Sequence, residues 1–267
     1  INLTGTNDAP QATFDTEKFT NEGQSIQGQL TSVDIDVDDV ATYQLNPSGV
    51  DQTRIESAAI AVANAVTAND QAQIADAQRY QSLLNSFETQ ITNNNGDIPG
   101  LNLDSTTGSW SFDPTDDIYK TLAAGDELVL RVQYQAEDSN GLTGDNSFLI
   151  TVTGTNDAPV ATFSDPQNAT EDQNTPLTGQ LTATDVDSSD LQYELIGAQI
   201  PGLNIDSNGD WSFDTTDEAY QNLADGESKQ ITVNYSVTDD NGKSDNSSFV
   251  INLTGTNDAP QATFDTE

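Results

Sequence analysis

Apolar residues fall on alternate positions in several short runs of this chain, and each run has a counterpart further on. Leu128, Leu130, Val132 and Tyr134 alternate with polar residues, as do Ile231, Val233, Tyr235 and Val237. A period of two marks a strand with one buried face. Phe148, Ile150 and Val152 form another such set, matched by Phe249, Ile251 and Leu253. Trp110 and Phe112 flank Ser111, and Trp211 and Phe213 flank Ser212, so both aromatics of each pair can enter one core. Such a tryptophan can also stack on a sugar, but its place in a repeated strand favours core packing. Turn-forming strings such as DSNGD and DDNG separate the runs. About seven short strands in about 100 residues, twice over, predict an all-β chain of two tandem antiparallel β-sandwiches of immunoglobulin-like type.

One stretch breaks the alternation. Residues 47–97 turn to Ala, Gln and Asn, with few β-branched residues. Ile55, Ala59, Val62 and Val66 fall at helical spacing, and after Asn69-Asp70, which can cap a helix, Ile74, Ala77, Leu84, Phe87 and Ile91 do so again, with Tyr80 nearby. The expectation is two amphipathic helices joined near 67–70 and inserted in a loop of the first sandwich.

Whole phrases recur as well. TGTNDAP stands at 4–10, 153–159 and 254–260; GQLTSVDIDVDD at 28–39 matches GQLTATDVDSSD at 179–190; IPGLNLDSTTGSWSFD at 98–113 matches IPGLNIDSNGDWSFD at 200–214. Residues 251–267 repeat residues 1–17 letter for letter. The expected organisation is the end of a preceding repeat at 1–6, a sandwich with its helical insert at 7–155, a second sandwich at 156–256, and the start of a next copy at 257–267.

Charge narrows the range of partners. Lys plus Arg number 7 against 44 Asp plus Glu, a formal net charge of −37. Nucleic acid and anionic membrane repel such a chain. Its self-repulsion calls for screening, by divalent cations or by general solvation of an acidic surface. Cys and His are both absent, which removes disulfides, thiolate metal sites and the commonest general base. Oxygen ligands remain, and those suit calcium. No apolar run approaches the roughly 18 residues of a membrane span, and no signal peptide opens the sequence.

The acids recur in a fixed order. Asn7-Asp8, Asn156-Asp157 and Asn257-Asp258 lie in the TGTNDAP strings; a lone glutamate follows at Glu22 and Glu171; then come Asp34 and Asp36, or Asp185 and Asp187. Glu127 and Glu227 sit in Gly-Asp-Glu and Gly-Glu turns, and Asp138 and Asp239 close each set. Any one of these can be a solvated surface acid. The same order in two units favours shared ion sites, since calcium takes six to eight oxygens at about 2.3–2.6 Å. Carboxylate pairs also serve glycoside hydrolysis, but acids that repeat at junctions suit structural ions better than a single cleft. No phosphate loop or nucleophile elbow is present, so no enzyme is expected.

FTNEGQSIQGQLTSVDIDVDD and NATEDQNTPLTGQLTATDVDSSD resemble the opening of a cadherin repeat, with its glutamate followed by A-x-D-x-D. NYSVTDDNG and TGTNDAP resemble that repeat's later aspartate and its linker, and GDWSFD with TGTNDAP looks still more like the bacterial cadherin-like repeats called VCBS. Those occur in tandem in large secreted adhesins, often of the RTX type. The resemblance implies calcium at the junctions between repeats. At the central one the ligands would be Glu22 and Glu127 from the first unit, Asn156 and Asp157 from the linker, and Asp185, Asp187 and Asp239 from the second unit. The junction before the first unit would use Asn7, Asp8, Asp34, Asp36 and Asp138, and the one after the second Glu171, Glu227, Asn257 and Asp258. The linker lacks the cadherin linker's first aspartate and second asparagine, and AGDE and DGES replace its L-D-R-E motif. The implied function is a calcium-rigidified extender of a bacterial surface adhesin, extracellular, active in cell adhesion or biofilm formation, with neighbouring repeats as partners and no membrane insertion. The alternative is a binding module in which the insert recognises a cell-surface or glycan ligand; the insert can equally be a brace against the neighbouring sandwich or a neutral elaboration.

Overall fold

The expected alternation becomes strand, and the strands assemble twice on one plan. The computed structural model describes residues 4–36 and 39–259. Residues 1–3 and 260–267, on which most of the expected next copy falls, lie outside the described residues. The chain divides into two compact units, residues 1–156 and 157–267.

In the first unit the strands are β1 (Gln11–Ala12), β2 (Lys18–Asn21), β3 (Ile26–Gln29), β4 (Ser32–Val33), β5 (Thr42–Leu45) and β6 (Gly49–Val50). Helices α1 (Gln52–Ala68) and α2 (Gln71–Asn93) follow, then β7 (Leu101–Leu103), β8 (Ser109–Phe112), β9 (Glu127–Glu137) and β10 (Thr143–Thr153). One sheet runs β2-β10-β9-β5, with β6 also on β9; the other runs β3-β8-β7; β1 pairs with β4. The second unit holds β11 (Val160–Ala161), β12 (Gln167–Thr170), β13 (Leu177–Gln180), β14 (Ala183–Thr184), β15 (Gln192–Leu195), β16 (Leu203–Ile205), β17 (Asp210–Phe213), β18 (Ser228–Thr238) and β19 (Ser244–Thr254). Its sheets run β12-β19-β18-β15 and β13-β17-β16, with β11 on β14, the same order without the insert. These are the immunoglobulin-like sandwiches the alternation predicts. The expected antiparallel pairing has one departure in each: β2 pairs parallel with β10, and β12 with β19. The chain enters each unit on one sheet and crosses to the far edge of the other. There the second strand of the unit meets the last with no hairpin to reverse its direction.

Each core sits between the sheets. Trp110 and Phe112 are buried, as are Trp211 and Phe213. Gly28 lies opposite Trp110 in the register, and a Cβ there would come within 2.5 Å of the indole; Gly179 and Trp211 repeat the arrangement. The ring lies across the neighbouring strand where only glycine leaves room. Phe14 and Phe148 pack against the Trp110 ring, the three centroids lying 5.0–6.2 Å apart. The Tyr134 hydroxyl donates to the Phe14 carbonyl (2.9 Å), as Tyr235 does to Phe163 (2.7 Å), pinning the incoming chain to the sheet.

The insert forms as two helices, and Asn69-Asp70 divides the work at the joint. Asn69 closes α1 in the left-handed conformation (φ 55°), and the Asp70 carboxylate caps α2 by accepting from Gln73 N–H (3.1 Å). Leu84, Phe87 and Ile91 are buried in the sandwich core, and Phe87 meets Tyr119 at 5.6 Å. The face of α1 is rotated from the expected one. Ala59 is exposed and Val66 is 55% exposed, whereas Ala58 and Ala65 are buried beside half-buried Ile55 and Val62. A helix packed chiefly on one partner buries a narrow stripe, and alanines on that stripe let the two axes come close.

The insert also covers the outer face of β9, where Glu127, Val129 and Arg131 point the same way. Its residues reach both ends of that row, Arg54 to Glu127 and Asp51 to Arg131. Val129 between them is buried, while Gln230, at the same register position of the second unit, is exposed. Replacing Phe87 by Ala is expected to destabilise the first unit by about 3–5 kcal/mol. Replacing exposed Val66 by Ser should change stability by no more than about 0.5 kcal/mol. Urea unfolding of the two variants checks both values, and equal losses would contradict the burial described.

Candidate metal centres

The acids gather at the poles of each unit. In the first unit the chain leaves β4 as a turn, in which Asp34 Oδ1 accepts from Asp36 N–H (2.8 Å) and Asp36 Oδ2 accepts from Asp8 N–H (2.8 Å). Irregular backbone thus aims two carboxylates that a flat strand would only align. Asp138, 5% exposed, accepts from Asn140 N–H (2.8 Å) and Leu142 N–H (2.9 Å) with one oxygen and from the Asn7 amide (2.7 Å) with the other. The Asn7 carbonyl oxygen in turn accepts from the Asn140 amide (2.7 Å). Asp34, Asp39 and Asp138 bring carboxylate oxygens within 4.8 Å of one another. Asp34 Oδ2 is buried with no hydrogen-bond partner. Of the expected set, Asn7, Asp34, Asp36 and Asp138 converge here. Asp8 joins through its backbone, and its side chain is exposed.

Asp39 belongs to this cluster and the reading of the sequence missed it. Its carboxylate accepts from Ser139 N–H (3.0 Å) and from the Ser139 hydroxyl. The signal was the last letter of DIDVDD, outside the D-x-D pair. Its counterpart Asp190 is exposed, and there Ser188 donates to Asp240 instead (2.9 Å).

The second unit repeats the turn. Asp185 Oδ1 accepts from Asp187 N–H (3.0 Å) and Ser188 N–H (3.1 Å), and Asp187 Oδ2 accepts from Asp157 N–H (3.2 Å). Asp239, 5% exposed, accepts from Asn241 and Lys243 N–H groups (both 2.9 Å), as Asp138 does in its own loop. Asp157 Oδ2, Asp185 Oδ2 and Asp187 Oδ1 are buried without a hydrogen-bond partner. Loss of water and the neighbouring Asp185 and Asp157 carboxylates push the Asp187 carboxyl up to about 7, against the pull of the Asp157 N–H.

At the opposite pole of each unit a glutamate holds the departing chain. Glu22 accepts from Thr155 N–H (3.2 Å), and Glu171, 1% exposed, accepts from Thr256 N–H (2.9 Å). The other oxygen of Glu171 is buried and has no hydrogen-bond partner. Asn156 is half-buried, and Asn257 and Asp258 are exposed.

The two late glutamates do not join these sets. Glu127 ion-pairs with Arg54 of α1 (3.2 Å), and Glu227 accepts from Ala224 N–H (3.0 Å), closing its own turn. Nor are they counterparts. Gly154 N–H donates to the Asp126 carbonyl as Gly255 N–H does to that of Glu227 (both 2.8 Å), so Asp126 holds the equivalent place. The offset of one residue puts Glu127 on the outer face of β9 beneath the insert.

Each polar set offers hard oxygen donors and no nitrogen or sulfur ligand, and buried carboxylate oxygens without donors fit a divalent cation such as calcium. A family model described as a bacterial Ig domain matches residues 156–252, within and just before the second unit. No curated protein matches the chain. Among solved structures it is similar to mouse cadherin-23 EC22–24, at 16% identity and a TM-score of 0.46 over 94% of this chain and 67% of that one. It is likewise similar to human CDH23 EC21–23, at 16% and 0.47 over 94% and 66%. Protocadherin gamma B7 domains 1–4 match at 13% and 0.45 over 92% of this chain and 51% of that one, so the chain spans about half of that structure. The class defined by strand order and family match is a tandem pair of immunoglobulin-like repeats.

The raised Asp187 carboxyl has a testable sign. Between its ordinary value of 3.8 and about 7 the folded second unit holds a proton that the unfolded chain releases. In chelator, stability of that unit should therefore fall as pH rises from about 5 to 7 and level off above. Asp185→Asn should flatten the slope. Unfolding of both proteins across this range checks it, and a slope unaltered by the substitution would contradict it.

Proposed function

We propose that this chain is a stretch of calcium-stiffened extender repeats from a secreted bacterial surface adhesin, holding a distant binding domain away from the cell in adhesion or biofilm formation. The observation that carries the reading is the set of buried carboxylate oxygens at the repeat poles with neither a hydrogen donor nor an arginine beside them: Asp34, Asp157, Glu171, Asp185 and Asp187. Asp126 Oδ2 also lacks a hydrogen-bond partner but lies 2.9 Å from Arg79. Asp138 and Asp239 stand beside them, each fixed by backbone N–H groups of its own loop. Bound calcium would supply the positive charge and oxygen-seeking coordination that these groups lack.

What the residues themselves do is grip the linker. Glu22 of the first unit holds the backbone of Thr155, and Asp187 of the second holds that of Asp157, with Asn156 alone between them. Acids of consecutive repeats thus hold the two residues that flank Asn156, and neutralising them together would stiffen the joint. Extracellular modules bind calcium at roughly 10⁻⁴–10⁻³ M. At tenfold excess over the dissociation constant each site adds about 1.4 kcal/mol of stability. Joints of this kind are loose in a low-calcium cytoplasm and set outside the cell. Among the described residues no helix is long and apolar enough to cross a membrane.

Millimolar calcium should raise the unfolding temperature and lengthen the particle seen by small-angle scattering, relative to chelator. Asp185→Asn with Asp187→Asn should abolish most of the lengthening. Superimposable curves with and without calcium would refute the reading.

A further inference from the structure

The base of the first unit and that of the second share one backbone frame and differ in charge. In both, a glycine before the base acid donates to the departing strand, Gly125 to Gly154 and Gly226 to Gly255 (both 3.1 Å). In both, the pole glutamate donates its N–H to that strand, Glu22 to Thr153 and Glu171 to Thr254 (both 2.9 Å). Asp126 in the first unit corresponds to Glu227 in the second, and Glu127 to Ser228.

The helical insert changes what those acids meet. Arg79 of α2 lies 2.9 Å from Asp126 and 3.1 Å from Asp76, and Arg54 of α1 lies 3.2 Å from Glu127. Tyr80, beside Arg79, donates its hydroxyl to the Glu127 carbonyl. The third arginine, Arg131 of β9, lies 3.5 Å from Asp51, the cap of α1. A chain of net charge −37 thus places all of its arginines where the insert meets the sheet, and none in the second unit. A guanidinium stays charged and presents a fixed fork to a carboxylate, which suits it to a permanent post that lysine fills less well. In the second unit the base acid Glu227 has no such partner and turns back onto Ala224 N–H.

We propose that the insert sets the cation complement of its own repeat, Arg54 and Arg79 acting as built-in counter-charges that withhold Glu127 and Asp126 from metal. The proposal rests on the calcium reading above. It assigns the insert a role that the bare repeat plan does not contain. The base of the insert-bearing unit takes fewer ions than it would without the arginines, and its acids stay neutralised when calcium is scarce.

Calorimetric titration of the full chain with calcium tests this on two double variants. Arg54→Gln with Arg79→Gln frees the two acids and should raise the number of calcium ions bound per chain. Asp126→Asn with Glu127→Gln removes acids that are not ligands and should leave the stoichiometry of the wild type unchanged. Circular dichroism follows whether each variant keeps its fold, and the second variant carries the test if the first unfolds. Loss of an ion in the second variant, or no gain in a folded first variant, overturns the proposal while the calcium reading stands. A wild-type chain that takes up no calcium overturns both.

Discussion

A carboxylate taken out of water must find a donor, a proton or a cation, and at the poles of these repeats several oxygens have found no donor. An unpaired buried charge costs several kcal/mol. The fold does not avoid the expense; it reproduces it, placing Asp185 as it places Asp34 and closing each set with a buried aspartate fixed by its own loop, Asp138 or Asp239. The sandwiches hold the acids in place. Long strands such as β9 and β18 fix the closing loops, and the short pairs β1–β4 and β11–β14 fix the turn that carries the D-x-D residues. The protonation of Asp187 near pH 7 is one response to the crowding. Coordination of a hard divalent ion, as proposed, would be the other, and it would relieve several carboxylates at once.

On that common frame the first unit adds a second layer. Its helices are part of the core, since Leu84, Phe87 and Ile91 are as buried as the strand residues they meet. They tie to the sheet by polar contacts as well: Glu88 accepts from Val50 N–H (2.6 Å), beside Gly49, whose missing side chain leaves it room. An insert so engaged is a brace on its own sandwich. The second unit covers the equivalent tyrosine differently, laying the Lys229 ammonium 5.0 Å over the Tyr220 ring where the first sets Phe87 on Tyr119.

Most of the fold was legible because burial leaves a periodic trace. Leu128 to Tyr134 and Ile231 to Val237 read as strands, and Asn69-Asp70 read as a helix joint, for the physical reasons the structure displays. Legibility failed where partners are distant in sequence. The parallel pairing of β2 with β10 depends on which edge the chain reaches. The face of α1 depends on its packing against α2, which selects Ala58 and Ala65 over Ala59 and Val66. Among the site residues, Asp34, Asp36 and Asp138 announced themselves by repetition; Asp39 repeats as Asp190 but lies outside the D-x-D pair, and only the fold sets it beside Asp34 and Asp138 while leaving Asp190 exposed. Glu127 was misplaced because two turns of different wording, AGDE and DGES, concealed a one-residue offset that only the hydrogen bonds of Gly154 and Gly255 reveal.

The central claim concerns the oxygens of Asp157, Asp185 and Asp187. A crystal structure grown in millimolar calcium, with data collected for anomalous scattering, tests it most directly. The account predicts a calcium peak against Asp185 Oδ2 and Asp187 Oδ1. A map with no peak there, and those oxygens turned to bulk water, would contradict it.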